Sequence, residues 1–163
     1  MSIPILTSDF WDVRTDWIIR NFTNDEMLIE DLGDDATVNI YKGYPVLGVD
    51  KFAIFVYRTT SDEDEYSMGG DKVAMTATWA VVCITRLAGE PDMLEQYIST
   101  FSANVLRCLM RHKQQLDEDG DTLWTIATPG SSDAASVRDE ENQQYDVELI
   151  PYTLWFELML EGM

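Results

Sequence analysis

The chain has 163 residues, of which 45% are hydrophobic and 11% aromatic. This length suits one domain with a sizeable core, and the composition is too apolar for an intrinsically disordered chain. Thirty acidic residues against eleven Lys and Arg give a formal net charge of -19, which repels phosphate backbones and anionic lipid surfaces and argues against a protein that grips nucleic acid or membranes.

The N-terminal nine residues lack the basic region and the long apolar run of a signal peptide, and no window reaches a membrane-spanning length. We therefore expect a cytosolic chain. Cys83 and Cys108 each lie within an apolar pattern, and the sequence has no CxxC pair. Both cysteines are accordingly expected to be buried free thiols.

The N-terminal third predicts one helix and two short strands. The helix covers residues 9–21, where Ser8 can cap the first turn and apolar residues recur at helical spacing. After an acidic connection over residues 23–35, strands are predicted at 37–41 and 44–49. Pro45 favours an edge position or a strand start for the second of these.

Two β-rich runs within residues 52–87 predict a long hairpin, with apolar residues on both faces of each strand. Sixteen residues at about 3.3 Å each span roughly 50 Å, which is more than one small domain needs. Part of the hairpin should therefore protrude as an arm. Its acidic tip is the first candidate interaction site, consisting of Asp62, Glu63, Asp64, Glu65, Tyr66 and Asp71.

A second helix is predicted over residues 92–113, with one continuous apolar stripe that packs on the sheet. Leu106 and Met110 lie off that stripe. Farther along the chain, residues 122–128 predict a short strand, 129–144 a mobile polar loop, and 145–161 a C-terminal strand. The apolar phase of that last strand switches at Ile150-Pro151, which predicts a β-bulge.

Four apolar residues outside these expected core patterns form the second candidate site, a subunit interface. They are Leu106 and Met110 on the second helix and Trp155 and Met159 on the C-terminal strand. The basic residues near the end of the helix suit its dipole, and this structural role outweighs a basic docking site.

No catalytic signature is present. His112 is the only histidine and follows Cys108 by one helical turn, so a thiol–imidazole pair is conceivable, but a residue at the core edge is favoured. Residues 117–121 resemble the start of a calcium loop, yet Thr122 and Thr128 occupy the positions that require Gly and Glu. We expect no enzyme activity, no metal and no cofactor.

The predicted order of helix, strand pair, long hairpin, amphipathic helix, strand and C-terminal strand resembles the tail-terminator or tail-completion (neck) proteins of long-tailed bacteriophages. The likeness spans residues 9–161 and is best in residues 44–49, which lead into the hairpin, and in the helix at 92–113. It is a likeness of architecture and rests on no specific motif.

This resemblance implies a structural virion protein that forms a homo-oligomeric ring, commonly a hexamer. Such a ring ends the tail tube, provides the head-joining surface and contacts tail-tube and head-connector proteins. DNA would pass through an acidic channel without specific binding. The location implied is the virion, with the host cytoplasm during assembly.

The fold class expected is a single α+β domain over residues 1–163. A mostly antiparallel sheet, with a protruding hairpin at about 52–87, would pack against two amphipathic helices. Two other functions stay open from the sequence alone. One is an acidic inhibitor or DNA mimic that binds a basic nucleic-acid-binding partner. The other is a small metal-assisted enzyme that uses the acidic loops.

Overall fold

The computed structural model describes residues 5–33, 36–48, 51–67, 72–86 and 94–159, and their side chains except those of residues 60–67, 72, 94 and 95. Within these ranges, two α-helices and a short 3-10 helix accompany eight strands. In chain order these are α1 Phe10–Thr23, the 3-10 helix Glu26–Ile29, β1 Asn39–Lys42, β2 Phe52–Ser67, β3 Lys72–Arg86, α2 Leu94–Arg111, β4 Gln115–Leu116, β5 Thr122–Trp124, β6 Ile126–Pro129, β7 Asp133–Arg138 and β8 Gln144–Met159.

Six of the strands form one mixed sheet in the order β1-β2-β3-β8, and β6 and β7 share the far edge of β8. The β1–β2 pair is parallel, and the other pairs are antiparallel. Strands β4 and β5 make a separate two-stranded sheet. This architecture confirms the predicted α+β fold with a mostly antiparallel sheet.

The predicted hairpin is present as β2 and β3, which pair from Phe52↔Thr85 to Ser67↔Val73. Strand β8 lies along the other edge of β3 over the full length of β3, from Lys72↔Met159 to Arg86↔Tyr145. The predicted arm is therefore three strands wide. Its far end is held by backbone pairing on both edges of β3.

The prediction of a β-bulge at Ile150-Pro151 is wrong, because the β3–β8 register runs through this point without a shift. The apolar phase switches because the two halves of β8 bury opposite faces. Tyr145 belongs to a small cluster on the face away from the helices, whereas Tyr152 and Leu158 belong to the main core under the helices.

Two predictions for irregular segments also need correction. Residues 44–48 form no strand, although residues 44–49 were predicted to be one. The predicted polar loop at 129–144 contains β7, which pairs with the first half of β8 and exposes all six of its residues. Asp139 closes the turn between them, since its Oδ1 accepts hydrogen bonds from the backbone N–H groups of Glu141 and Gln143.

Both helices pack on one face of the sheet. The predicted stripe of α2 supplies Ile98, Phe101, Val105, Cys108 and Leu109 to the main core. Helix α1 contributes aromatic contacts: the Phe10 ring meets the Phe156 ring edge-on, with centroids 5.5 Å apart. The molecule is a two-layer structure in which one sheet face belongs to the helices.

A buried arginine connects α1 to β5 through a hydrogen bond. Arg14 is 4% exposed, its Nε–H donates to the Leu123 carbonyl at 3.1 Å, and its guanidinium carbon lies 3.5 Å from the centre of the Phe10 ring. Burial lowers the pKa of Arg14 to about 10. The group therefore stays cationic at neutral pH, and carbonyl oxygens and an aromatic face replace the water around it.

A second buried polar contact fixes the position of α1 over the sheet centre. The Trp79 indole N–H donates to Thr15 Oγ1 at 2.8 Å, and this hydroxyl donates to the Trp11 carbonyl at 2.9 Å. Trp79 is fully buried and Thr15 is 6% exposed. The single hydroxyl therefore satisfies a buried donor that has little access to water.

Replacing this hydroxyl should destabilise the fold. Thr15→Val keeps the side-chain volume but leaves the indole N–H of Trp79 unsatisfied, so the free energy of unfolding should fall by about 1–3 kcal/mol. Thr23→Val is the matched control, because the Thr23 hydroxyl also donates to a carbonyl four residues earlier but is exposed. Urea unfolding should show a change within about 0.5 kcal/mol for this control, and equal losses in both variants would contradict the assignment.

Candidate functional site

The cysteine and histidine that could have formed a nucleophilic pair do not make an activated site. Cys108 is fully buried, and its Sγ lies 3.6 Å from the Asn21 carbonyl oxygen. Burial raises the pKa of the Cys108 thiol far above its ordinary value, and burial also lowers the pKa of His112. Both groups are therefore favoured in their neutral forms, whereas catalysis needs a thiolate.

A surface cleft of about 400 Å³ lies beside this pair, between the ends of α1 and α2. Two of its three charged side chains engage each other: Arg111 Nη1 lies 3.5 Å from Asp25 Oδ1, and the same oxygen accepts a hydrogen bond from the Met27 backbone N–H. Glu26 is the charged lining residue outside this pair.

The first carboxylate of the calcium-like loop accepts hydrogen bonds from the backbone of the same loop. Asp117 Oδ1 accepts hydrogen bonds from the backbone N–H groups of Asp119 and Asp121, each at 2.9 Å. Within the described ranges, no group of three or more His, Cys, Asp or Glu side chains converges to hold a metal ion. Neither helix in the described part of the chain is long and apolar enough to cross a lipid bilayer.

The acidic tip of the hairpin is described only in part. The backbone of residues 62–66 continues β2, and the pairing with β3 shifts between Asp62 and Tyr66. Asp71 lies outside the described residues. The structure thus places five of the six predicted tip residues at the far end of the three-strand arm, while the contacts of their side chains remain a prediction.

The far half of the sheet carries exposed apolar side chains on the face away from the helices. Trp155 is 40% exposed, and Ile126 is 54% exposed and pairs with it across the β6–β8 ladder. Met159 is half-buried on the same face of β8, and Glu157 is exposed between it and Trp155. We call Ile126, Trp155, Glu157 and Met159 the sheet patch.

The near half of the same face is covered by the chain itself. The Tyr41 ring stacks on Phe55 with centroids 4.9 Å apart, and the Tyr44 ring lies 4.7 Å from that of Tyr57. Leu47 packs against the same small cluster. This cover lies on the near half of the face, so in the far half the described sheet residues themselves carry the exposed apolar side chains.

The outer side of α2 carries a second exposed apolar group. Leu106 is 37% exposed and Met110 is 49% exposed, one helical turn apart, and the exposed Lys113 follows just beyond the helix. We call Leu106, Met110 and Lys113 the helix patch. The core-facing stripe of α2 points to the sheet, so Leu106 and Met110 point away from it.

The end of α2 is held firmly in place below this patch. The His112 carbonyl accepts hydrogen bonds from the Trp124 indole N–H at 2.9 Å and from the Tyr152 hydroxyl at 3.1 Å. Tyr152 also donates to the Leu109 carbonyl at 3.2 Å. These buried contacts fix the chain direction immediately before Lys113.

The four residues predicted as a subunit interface therefore fall into two surfaces on opposite sides of the molecule. Leu106 and Met110 lie outside the helix layer, and Trp155 and Met159 lie on the sheet face opposite the helices. Sequence reasoning missed Ile126, because its exposure depends on the pairing of β6 with the far half of β8. The alternation of Trp155, Glu157 and Met159 along one strand could have identified Glu157.

No protein-family model matches the chain, and the search of curated proteins found no match. Among solved structures, the fold is similar to a chain described as "Virion of native gene transfer agent (GTA) particle". The TM-score is 0.49 with 14% sequence identity, covering 85% of this chain and 90% of that chain. At this TM-score and identity the similarity carries no conclusion about function.

The buried thiols allow a direct test of the thiol–imidazole pair. Because burial raises the pKa of both Cys83 and Cys108, neither should react measurably with Ellman's reagent in the native protein between pH 7 and pH 9. Both should react once the chain is unfolded in guanidinium. A Ser131→Cys variant, with its thiol at an exposed position, is the positive control, and fast labelling of the native wild type below pH 8 would contradict this assignment.

Proposed function

We propose that this chain is a structural virion protein of a phage tail or head–tail junction. It assembles into a homo-oligomeric ring that ends the tail tube and provides the head-joining surface. The observation that carries the proposal is the presence of exposed large apolar side chains on two opposite faces of one small two-layer domain. The helix, long hairpin, second helix and C-terminal strand expected from the resemblance follow in that order along the chain, whereas the second strand of the expected strand pair is missing at residues 44–48.

Opposite faces favour a repeating contact between copies. The helix patch and the sheet patch cannot meet within one chain, because the sheet and its helix layer lie between them. A contact between different surfaces of neighbouring copies is heterologous, and it closes into a ring when the rotation between copies divides a full turn. The ring proposed here, with six copies as the resemblance implies, is a closed form of this contact.

The charge of the chain suits a channel for DNA. Thirty acidic residues give a net charge of -19, and a negative wall keeps the phosphate backbone from binding as it passes. In this proposal the tip residues of the arm face either that channel or a basic surface of the tail-tube or head-connector partner. No specific DNA binding, cofactor or membrane is required.

The state of the potential catalytic groups also supports a non-enzymatic role. The Cys108 thiol and the His112 imidazole are each favoured in the neutral form by burial. The carboxylate of Asp117 is used to stabilise its own turn. The interaction surfaces are more open to solvent than these groups, and they carry the proposed function.

Light scattering coupled to size-exclusion chromatography tests ring assembly. The purified chain should elute as one discrete oligomer, whose mass is an integral multiple of 18.6 kDa and stays constant over a wide range of protein concentration. A strict monomer at high concentration would count against ring assembly. A monomer that forms a tight complex with a basic nucleic-acid-binding protein, weakened strongly by salt, would instead favour the inhibitor alternative.

Deleting residues 62–70 tests the role of the arm. Because Ser61 lies opposite Ala77, residues 71–76 would form the new turn in this variant, and the pairing of β3 with β8 from Ala77 onward would be kept. Circular dichroism and cooperative unfolding should therefore remain. Assembly should be impaired, with a larger fraction of monomer at each concentration by light scattering. An undiminished oligomer would show that the tip of the arm plays no part in ring assembly.

A further inference from the structure

We propose that the sheet patch of one copy binds the helix patch of the next copy, with Glu157 and Lys113 forming an ion pair across the contact. Trp155 and Met159 pack against Leu106 and Met110 around this pair. The inference rests on the proposed ring assembly and identifies the surfaces that build the ring. It joins the two surfaces into one heterologous interface.

Charge complementarity identifies the occupant of the sheet patch as a second copy. Glu157 is exposed between two apolar side chains of the same face, and its carboxylate has no ion pair or hydrogen bond within the described part of the chain. An incoming cation beside Trp155 would meet both a carboxylate and an aromatic ring. A basic group next to apolar side chains is therefore the complement that this patch requires.

The helix patch supplies that complement. Lys113 is exposed, and within the described ranges it has no ion pair, hydrogen bond or aromatic contact. The neighbouring arginines differ in this respect, since Arg107 lies 3.2 Å from Glu30 and Arg111 lies 3.5 Å from Asp25. Lys113 is the cation next to Leu106 and Met110 that remains available for a partner.

A contact between two identical patches is disfavoured. Two sheet patches facing each other would bring Glu157 near its own equivalent, and two helix patches would bring Lys113 near its equivalent. Like charges at such a contact oppose association, particularly for a chain with a net charge of -19. The head-to-tail arrangement places opposite charges together.

Charge reversal tests the pairing. Glu157→Lys and Lys113→Glu should each raise the apparent dissociation constant of the assembly by about tenfold or more, because each replaces an attraction with a repulsion. The double variant, with the charges exchanged, should return to within about threefold of the wild type. Glu140→Lys is the matched control for Glu157→Lys, since it makes the same change in charge at an exposed site on another surface.

Light scattering over a concentration series reads each result, and circular dichroism confirms that every variant is folded. If both single variants assemble as the wild type does, or if the double variant fails like the single ones, the proposed interface is overturned while ring assembly stands. If the wild type never assembles, both the proposed interface and the proposed ring are contradicted. An equal loss in Glu140→Lys would also overturn the interface, by showing that only net charge matters.

Discussion

The unbroken pairing of β3 with β8 is the constraint on which the rest of the structure depends. Because strand side chains alternate between faces with a period of two, a shift of one residue would exchange every buried and exposed position. The register from Lys72↔Met159 to Arg86↔Tyr145 has no such shift. It places Tyr152, Leu154, Phe156 and Leu158 under the helices and Trp155 on the open face.

The same pairing explains how one sheet has two different environments along its length. Near β1, the segment around Leu47 covers the face opposite the helices. Farther along, the described residues cover the helix face, while Trp155 on the other face is 40% exposed. The helices are fixed to that face by aromatic packing and by the hydrogen bonds of Arg14, Thr15 and Tyr152, so the second face of the far half is left for other contacts.

Sequence patterns predicted the features that arise from strong apolar periodicity. The stripe on α2 and the two apolar faces of β2 and β3 are properties of the residues themselves, so both the helix and the hairpin are confirmed. The bulge prediction failed because a switch in apolar phase has two causes that look alike in one sequence. A strand can slip by a residue, or it can keep its register and bury different faces in its two halves.

The remaining errors concern segments without side-chain burial. Strand β7 exposes every residue, so its pairing with β8 leaves no apolar alternation in the sequence and depends on the turn at Asp139. Tyr44 and Val46 are 77% and 61% exposed, although their aromatic and β-branched character favours strands. The four predicted interface residues could be found as departures from core patterns, but their division between two faces required the topology.

Net charge imposes a condition on any assembly of this chain. Copies with a charge of -19 repel one another, so exposed apolar area must act together with a local attraction. Most of the described cations already serve the fold: Arg14 is buried, and Lys42 lies between Asp12 and Asp16 at 3.1 and 3.0 Å. An available cation beside exposed apolar residues is thus a scarce feature here. Lys113 is such a cation, and Glu157 is a carboxylate between apolar residues on the opposite face. This distribution of charge favours head-to-tail association of identical copies.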